Sequence, residues 1–293
     1  SYGIVAYQTA YMKANYPVEY LCALLTAESG DTEQVAVFVG EAKRMGISVL
    51  PPDVNESGSD FTVVQRDLGV GPPSELGGPT PKLGEAIRFG LSSIKNFGEG
   101  ISEAIIAERK AHGSYASLSD FLARVGSKNL NRKSLESLIR CGALDSLTTA
   151  THKRGTLLEN IETLLSFHRE ATAIAPQDSL FGTLMAPPPL TLPEGAATSL
   201  TDKLMWEKEL LGIYVSGHPL DAHAALTQKA VLSIAKIKEE MQPGLLLILP
   251  VLLTTVRSIL TKSGEKMVFL TVEDKSGSIE AVVFPRLLKE HAR

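Results

Sequence analysis

The chain has 293 residues, of which 44% are hydrophobic, and its formal net charge at pH 7 is -4. This length provides one large core or two to three smaller ones, and the weak negative charge excludes a globally basic surface, so any nucleic-acid-binding surface must be local. The two cysteines, Cys22 and Cys141, lie far apart without Cys or His partners, which argues against a zinc site or a disulfide framework and favours a reducing cytoplasm.

Residues 1–84 predict a helical segment that runs into a loop. Pro17 suits the first position of a helix, and Gly46 ends another helix whose apolar residues recur at helical spacing. We expect short strands at residues 47–50 and 61–64, within a stretch that otherwise lacks periodicity. Because the first residue is Ser rather than Met, we also expect the chain to be an internal piece of a longer protein.

Residues 85–172 predict a short strand followed by short helices with glycines between them. Ile87, Phe89 and Leu91 alternate with other residues, as in a half-buried strand. Residues 173–200 then lose all periodicity and are rich in Pro, Ala and Thr, which indicates an extended linker.

The last third of the chain changes from helix to strand. Residues 201–240 predict a helical connector. Within residues 241–293, β-rich runs at 267–272 and 279–284 flank an Asp-Lys-Ser-Gly turn, which predicts a hairpin. The longest apolar run, residues 245–253, is too short to cross a bilayer, so no membrane partner is expected.

The first chemically informative segment is IKNFGEGISEAIIAERK, residues 94–110. Gly98 and Gly100 flank one residue directly before an apolar helical face, which is the pattern of a helix-hairpin-helix. Glycine permits a left-handed backbone and lets a DNA phosphate approach the N–H groups at the start of the second helix. With Lys95 and Asn96 beside the turn, we expect contact with duplex DNA at all four residues, without sequence readout. A plain helix–helix turn is the alternative interpretation.

A second cationic segment precedes the helix that Gly142 ends. Its candidate DNA contacts are Lys128, Asn131, Arg132 and Lys133. Cations at a helix N-terminus are unfavourable by roughly a few tenths of a kcal/mol, which favours a functional reason for their presence. Two glycine turns with nearby cations predict a paired unit that grips the duplex backbone, and a solvated basic helix start is the alternative.

The linker contains the peptide Gln177-Asp178-Ser179-Leu180-Phe181. Two exposed large apolar residues leave roughly 1.5–3 kcal/mol of burial unrealised at each. We therefore expect a partner pocket that holds Leu180 and Phe181, with Gln177 hydrogen-bonded at its rim. In Gln177, Ser179, Leu180 and Phe181 the peptide resembles the sliding-clamp-binding peptide of bacterial replication proteins. The alternative is that the Leu-Phe pair docks on its own domain.

Residues 261–285 resemble strands two and three of an OB-fold, a barrel that binds single-stranded nucleic acid through a basic groove and stacking aromatics. The candidate contacts are Arg257, Lys262, Lys266 and Phe269. A core position for Phe269 is the alternative. Pro250 stands where a first strand would run, a placement that is tolerated only at an edge or a bulge.

Several long strings, taken in order, are similar to the alpha subunits of bacterial DNA polymerase III, the C-family replicative polymerases. They are SYGIVAYQTAYMKANYPVEYLCALLT, GISVLPPDVNES, IRFGLSSIKNFGEG, LNRKSLESLIRCGALDSL, QDSLFG and EKELLGIYVSGHPLD. The resemblance covers nearly the whole chain and implies a mixed, mainly α fold. Its implied parts are the end of a fingers domain (1–84), a helix-hairpin-helix region (85–172), a linker with the clamp-binding peptide (173–200), a helical connector (201–240) and a partial OB-fold (241–293).

The resemblance also implies a DNA-directed DNA polymerase that adds deoxynucleotides. In the family, the carboxylates that hold two Mg²⁺ ions lie in the palm, which precedes this segment. We therefore expect no catalytic residue, metal site or cofactor in this chain, and Mg²⁺ is implied only for the full-length polymerase. Tyr7 and Lys13 become candidates for contact with the template or the incoming nucleotide, and the alternative is that they are packing and surface residues. The implied partners are duplex DNA, the sliding clamp, single-stranded DNA and other replisome subunits.

Two other functions fit the same residues. One is a non-enzymatic helix-hairpin-helix scaffold, such as a repair factor, and an upstream palm with paired Asp residues would argue against it. The other is a single-stranded-DNA-binding module, whose activity would reside after residue 245 and would be lost on truncation there.

Overall fold

A computed structural model describes residues 2–65, 84–126, 130–148, 153–173, 190–193, 195, 198–223, 232–239, 244 and 246–291. Their contacts group the chain into two compact units, Ser1–Ser216 and Gly217–Arg293. The fold is mixed and mainly helical, as the sequence predicts. No helix in these ranges is long and apolar enough to cross a membrane.

The first unit begins with three helices and a small sheet. Pro17 starts the second helix, as expected, and the Asp31 side chain caps the third by accepting from the backbone N–H groups of Glu33 and Gln34. Gly46 has a φ of 75° and ends that helix, also as expected. The elements are α1 (Tyr2–Asn15), α2 (Pro17–Ala27), α3 (Thr32–Arg44), β1 (Ser48–Leu50), β2 (Thr62–Gln65) and β3 (Glu85–Arg88).

β3 is the central strand of this sheet. It pairs in parallel with β1 and antiparallel with β2. Ala86 and Ile87 are neighbours that face opposite sides of the sheet, and both are fully buried. The expectation of a half-buried strand here is wrong, because both faces of the central strand are covered. The sheet joins strands from both sides of residue 84, so the implied boundary there does not coincide with a break in packing.

A helical cluster completes the first unit. Its elements are α4 (Glu99–His112), α5 (Leu118–Arg124), α6 (Arg132–Cys141), α7 (Arg154–Glu159), α8 (Ile161–Ala173) and α9 (Leu200–Leu211). α9 packs against α6, and the Lys95 backbone N–H donates to the Leu210 carbonyl at 2.9 Å. The helix that follows the expected linker is therefore part of the same packed cluster as the helix-hairpin-helix candidate.

The second unit contains an antiparallel three-stranded sheet in the order β4-β5-β6. Its elements are α10 (Ile234–Glu239), β4 (Leu252–Leu260), β5 (Lys266–Asp274), β6 (Gly277–Val283) and α11 (Pro285–His291). The expected hairpin corresponds to β5 and β6. Pro250 lies before β4 rather than inside it, so the ladder loses no N–H donor and the expected conflict does not arise.

Candidate nucleic-acid interface

The turn before α4 is tight, but its left-handed residue is not a glycine. Gly98 precedes α4 with a φ of -76° and a ψ of 146°, and Gly100 lies in the helix itself. Asn96 instead has the positive φ, 65°, a conformation that Asn tolerates better than most residues. Two i→i+3 hydrogen bonds, from the N–H of Ile94 to the Leu91 carbonyl and from the N–H of Phe97 to the Ile94 carbonyl, form two successive turns, and Asn96 lies in the second. The expected first helix is therefore a pair of turns, and the expected left-handed role for the two glycines is wrong.

The surface of this turn is open where a phosphate would approach. Ile94 and Phe97 are buried and anchor the turn, while all four candidate residues from Lys95 to Gly100 are exposed. A Cβ atom placed on Gly98 would meet no other atom within 4 Å. Glycine is therefore not required here by packing or by φ, and its effect is to leave space above the start of α4.

The first backbone N–H groups of α4 have no side-chain cap. Gly98 cannot supply one, and no hydrogen bond among the described residues uses the N–H of Glu99 or Gly100. These donors point along the helix axis, where the dipole favours an anion. The turn carries one cationic and one anionic side chain, Lys95 and Glu99, so the amides and the open space, rather than net charge, distinguish it.

A chain of serine hydroxyls fixes the turn from below. Ser102 is fully buried and donates to the Glu99 carbonyl at 2.7 Å. Its hydroxyl must therefore accept from Ser92 at 2.8 Å, and Ser92 in turn accepts from Ser59, also at 2.8 Å. The chain runs in one direction and ties the first turn of α4 to a segment more than 30 residues earlier. Sequence reasoning missed these serines, because nothing local marks them.

Gly90 brings those two segments together. A Cβ atom at this position would overlap the backbone of Ser59 and Asp60. The close approach permits the backbone hydrogen bond from Ser92 to the Ser59 carbonyl at 3.0 Å. Here glycine is required by packing, and a glycine between two apolar residues was the available sequence signal.

The second cationic segment lies at the start of α6. Asn131 caps this helix in a reciprocal arrangement with Ser134, so its side chain already has a structural role. Arg132 is exposed and forms an ion pair with Glu162 of α8. Lys133 is exposed, and Lys128 lies outside the described residues.

The second glycine turn cannot serve as a phosphate cradle. Gly142 is buried with a φ of 84° at the end of α6, and a Cβ atom there would overlap the Arg154 guanidinium. The N–H groups of Gly142 and Ala143 already donate to carbonyls of α6. The expectation of two equivalent glycine turns gripping DNA is therefore wrong, because the second turn is a buried helix cap.

Arg154 is instead the centre of a buried charge network. It donates to Asp145 at 2.6 Å, to the Arg140 carbonyl at 3.0 Å and to Glu207 of α9 at 3.3 Å. Burial opposes the charged form of Arg154, but hydrogen bonds and charges from Asp145 and Glu207 outweigh it and raise its pKa. Glu207 has no exposed surface and also accepts from the N–H groups of Val215 and Ser216. The network holds α9 against α6 and was not expected from the sequence.

The two candidates in α1 differ in their surroundings. Tyr7 is exposed and lies 6.3 Å from Tyr11, measured between ring centroids. Lys13 forms an ion pair with Glu41 at 2.7 Å, and a hydrogen bond from Lys13 lowers the pKa of that carboxyl. Tyr7 is thus open for contact, whereas Lys13 is already paired.

The four candidates in the second unit do not share one surface. Arg257 lies opposite Phe269 in the β4–β5 ladder, with its guanidinium 5.3 Å from the ring centroid. Lys266 is three residues from Phe269 on the same strand, so its side chain is on the other face. Lys262 is exposed in the turn between the strands. Only Arg257 and Phe269 are brought together.

The clamp-binding candidates Gln177, Ser179, Leu180 and Phe181 lie outside the described residues. Within the ranges that the structure covers, no group of three or more His, Cys, Asp or Glu side chains could hold a metal ion.

Comparison with known proteins gives two results. Residues 46–155 match the helix-hairpin-helix motif family. The chain is 39% identical to the DNA polymerase III subunit alpha of Thermus aquaticus, over 98% of this chain and 22% of that protein. The corresponding subunit of Deinococcus radiodurans is 37% identical, over 98% of this chain and 21% of that protein. The corresponding subunit of Bacillus subtilis is 36% identical, over 99% of this chain and 24% of that protein.

The match therefore extends along nearly the whole chain, and the resemblance found in the sequence is confirmed. The chain spans less than a quarter of the length of these relatives. The first glycine turn, the serine chain and α6 all fall inside the helix-hairpin-helix match.

Proposed function

We propose that this chain is part of a replicative DNA-directed DNA polymerase and that it contributes duplex DNA binding and attachment to a sliding clamp. The observation that carries the DNA-binding proposal is the exposed, uncapped first turn of α4 inside the helix-hairpin-helix match. Backbone amides and Lys95 would hold a phosphate there without reading bases. Asn96, Gly98 and Gly100 complete this contact, and Arg132 and Lys133 would supply further cationic contacts.

Deoxynucleotide transfer is proposed for the longer protein and not for this segment. The relatives that support it are named DNA polymerase III subunit alpha, and most of their length lies outside the match. We propose a cytoplasmic location, which agrees with two buried free thiols.

The DNA-binding proposal is tested with the 293-residue chain and fluorescently labelled duplexes of two unrelated sequences. Lys95→Glu should weaken binding to both duplexes by about tenfold at 0.1 M salt, because it replaces a phosphate contact by a repulsive charge. Lys110→Glu is the matched control, since Lys110 is exposed at the opposite end of α4, about 16 Å away along the helix axis. Equal losses for the two variants, or a loss on one sequence only, would contradict the proposed contact.

Clamp attachment is proposed for residues 177–181. Leu180 and Phe181 are large apolar residues in a Pro-rich stretch, and such pairs act as anchors when a partner supplies a pocket. Replacing both with Ala should abolish binding to a purified bacterial sliding clamp in a surface-plasmon assay while duplex affinity stays unchanged. Unchanged clamp affinity would remove this part of the proposal.

Single-stranded DNA binding by the second unit is a further candidate function, and the stacked pair Arg257–Phe269 favours it. Phe269→Ala should reduce affinity for an oligothymidine strand by about fivefold if bases stack there. Lys266→Gln, on the opposite face, should have little effect. The reverse ranking would assign the strand to the other face of the sheet.

A further inference from the structure

A pocket separate from the α4 turn lies between the start of α6 and the middle of α8. Its volume is about 210 Å³, which accommodates a tetrahedral phosphate group with several waters, since a water takes about 30 Å³. The residues that line it are Leu130, Asn131, Arg132, Glu162, Leu165, His168 and Arg169. Two arginines and one carboxylate make the pocket cationic.

The Arg132–Glu162 ion pair across this pocket is weak. Its side chains are 63% and 66% exposed, and exposed pairs of this kind change an equilibrium by about fivefold or less. Guanidinium groups bind carboxylates and phosphates with the same two-pronged geometry. The Glu162 carboxylate therefore lies where a phosphate could bind Arg132. Because the ion pair is weak, a phosphate can displace this carboxylate from Arg132.

Two further groups at the pocket have unused hydrogen-bonding capacity. Arg169 donates from Nε to the Leu165 carbonyl at 3.3 Å and from Nη2 to the Ser166 hydroxyl at 3.2 Å, and its Nη1 forms no hydrogen bond with a described residue. His168 is 95% buried, and its Nδ1 must carry a proton because it contacts the Leu122 carbonyl at 2.7 Å. Its Nε2 has no partner among the described residues, although the ring lines the pocket. With the proton on Nδ1, Nε2 is an acceptor, so it would reach a phosphate oxygen only through a bound water that donates to both.

We propose that this pocket binds a phosphate of the DNA backbone through Arg132 and Arg169, and that Glu162 occupies the phosphate position on Arg132 when DNA is absent. The inference rests on the proposed duplex binding and adds Arg169 and the competing carboxylate to it. It replaces the second glycine turn, whose amides are already used, as the second contact of this region with the duplex backbone.

The direction in which one substitution changes duplex affinity tests the proposal. Glu162→Gln should tighten duplex binding by about fivefold at 0.1 M salt, because Arg132 is released and a repulsive charge is removed. Glu170→Gln is the matched control: it removes the same charge from an exposed position on the same helix that does not line the pocket. Arg169→Gln should weaken binding by about fivefold and lower the slope of log K against log salt by about one.

The pair Arg132 and Glu162 provides a coupling test. In the background of Arg132→Gln, Glu162→Gln should lose most of its gain, since the two residues act on each other. Circular dichroism melting curves should be unchanged for all these exposed substitutions. Equal effects of Glu162→Gln and Glu170→Gln on duplex affinity would overturn the proposal.

Free phosphate is distinguished from backbone phosphate in a second arm. Inorganic phosphate is added at constant ionic strength, with chloride as the control, while the His168 ring resonances are followed by NMR. Resonance shifts with inorganic phosphate but an unchanged duplex affinity for Glu162→Gln would assign the pocket to free phosphate and overturn the backbone proposal. No duplex binding by the unmodified chain would overturn the proposed function itself. Duplex binding that ignores Glu162 and Arg169 would overturn only the pocket.

Discussion

Gly98 allows one substitution to move stability and DNA affinity in opposite directions. The residue precedes α4 with extended backbone angles, which suit any capping side chain. Nothing lies within 4 Å of a Cβ placed there. Gly98→Asp should therefore fold without strain, and its carboxylate should accept the N–H groups of the first turn that the proposed phosphate would use.

The stability change can be worked from three contributions. Replacing Gly by Asp at a helix cap adds a few tenths of a kcal/mol, roughly. A negative charge at the helix N-terminus adds about 0.3–1 kcal/mol, reduced here by the neighbouring Glu99. Removing a glycine from the unfolded chain adds about 0.4–1 kcal/mol. The sum is about 1 kcal/mol, or about 2–4 °C in melting temperature for a unit of this size.

The DNA affinity should fall for two reasons. The Asp carboxylate would accept from the N–H groups and fill the open space, so one phosphate contact is lost. Its negative charge also lies near the DNA backbone and adds a repulsion of about 1 kcal/mol. Together these weaken duplex binding by about tenfold at 0.1 M salt. Gly98→Asn is the matched variant, since it caps the same amides without the charge, and it should lose about threefold.

Thermal melting measures the stability of each variant, and fluorescence anisotropy titrations with duplex DNA at several salt concentrations measure its DNA affinity on the same preparations. Gly98→Asp should melt at a higher temperature and bind DNA more weakly than the unmodified chain. A variant that is more stable and binds DNA with unchanged affinity would refute the phosphate contact at α4. A variant that melts at a lower temperature would refute the uncapped geometry of the helix start.

Three further predictions concern the groups that support the interface. Glu207→Gln should lower the free energy of unfolding by about 3 kcal/mol in urea titrations, because it leaves the buried Arg154 charge incompletely paired. An unchanged free energy of unfolding would mean that the Arg154–Glu207 pair is solvated. Ser102→Ala should cost about 1–2 kcal/mol and also weaken duplex binding, since it ends the hydroxyl chain under the turn; normal DNA affinity would separate that chain from function. Burial raises the pKa of Cys22 to about 11 and that of Cys141 to about 12, so both thiols should resist alkylation at pH 8 until the chain unfolds. The stability that these protonated thiols contribute should fall as the pH rises above their ordinary pKa of 9.0. Rapid alkylation in the folded state would contradict their burial.

Local signals in the sequence were sufficient for most helices and for the hairpin. Pro17 and Gly46 have fixed conformational preferences, so they mark helix ends without any tertiary information. Strand alternation likewise located β5 and β6. The burial of β3 could not be predicted, because it depends on β1 and β2, which join it from earlier in the chain.

The parts of the site that escaped prediction are those made by distant pairs. Ser59 and Ser102 are 43 positions apart and Arg154 and Glu207 are 53 apart, and neither pair leaves a periodic pattern. The glycine pattern located the turn at α4, but it assigned the left-handed conformation to glycine when Asn96 adopts it. Glycine spacing identifies which residues lie near the turn. The φ angle of each turn residue also depends on tertiary packing, here on the burial of Ile94 and Phe97.

Two of the candidate cations are already paired with carboxylates, which bears on how such a segment would act. Lys13 pairs with Glu41, and Arg132 pairs with Glu162. A phosphate contact at either residue must therefore displace a carboxylate, which keeps its affinity low. Weak, sequence-independent contacts permit movement along a duplex. A tether to a second protein that encircles the duplex would raise the effective concentration of those contacts to about the millimolar range, where weak sites are occupied. The proposed weak DNA contacts and the proposed peptide tether would thus be complementary, and strengthening the contacts through Glu162→Gln should slow movement along DNA even as it tightens binding.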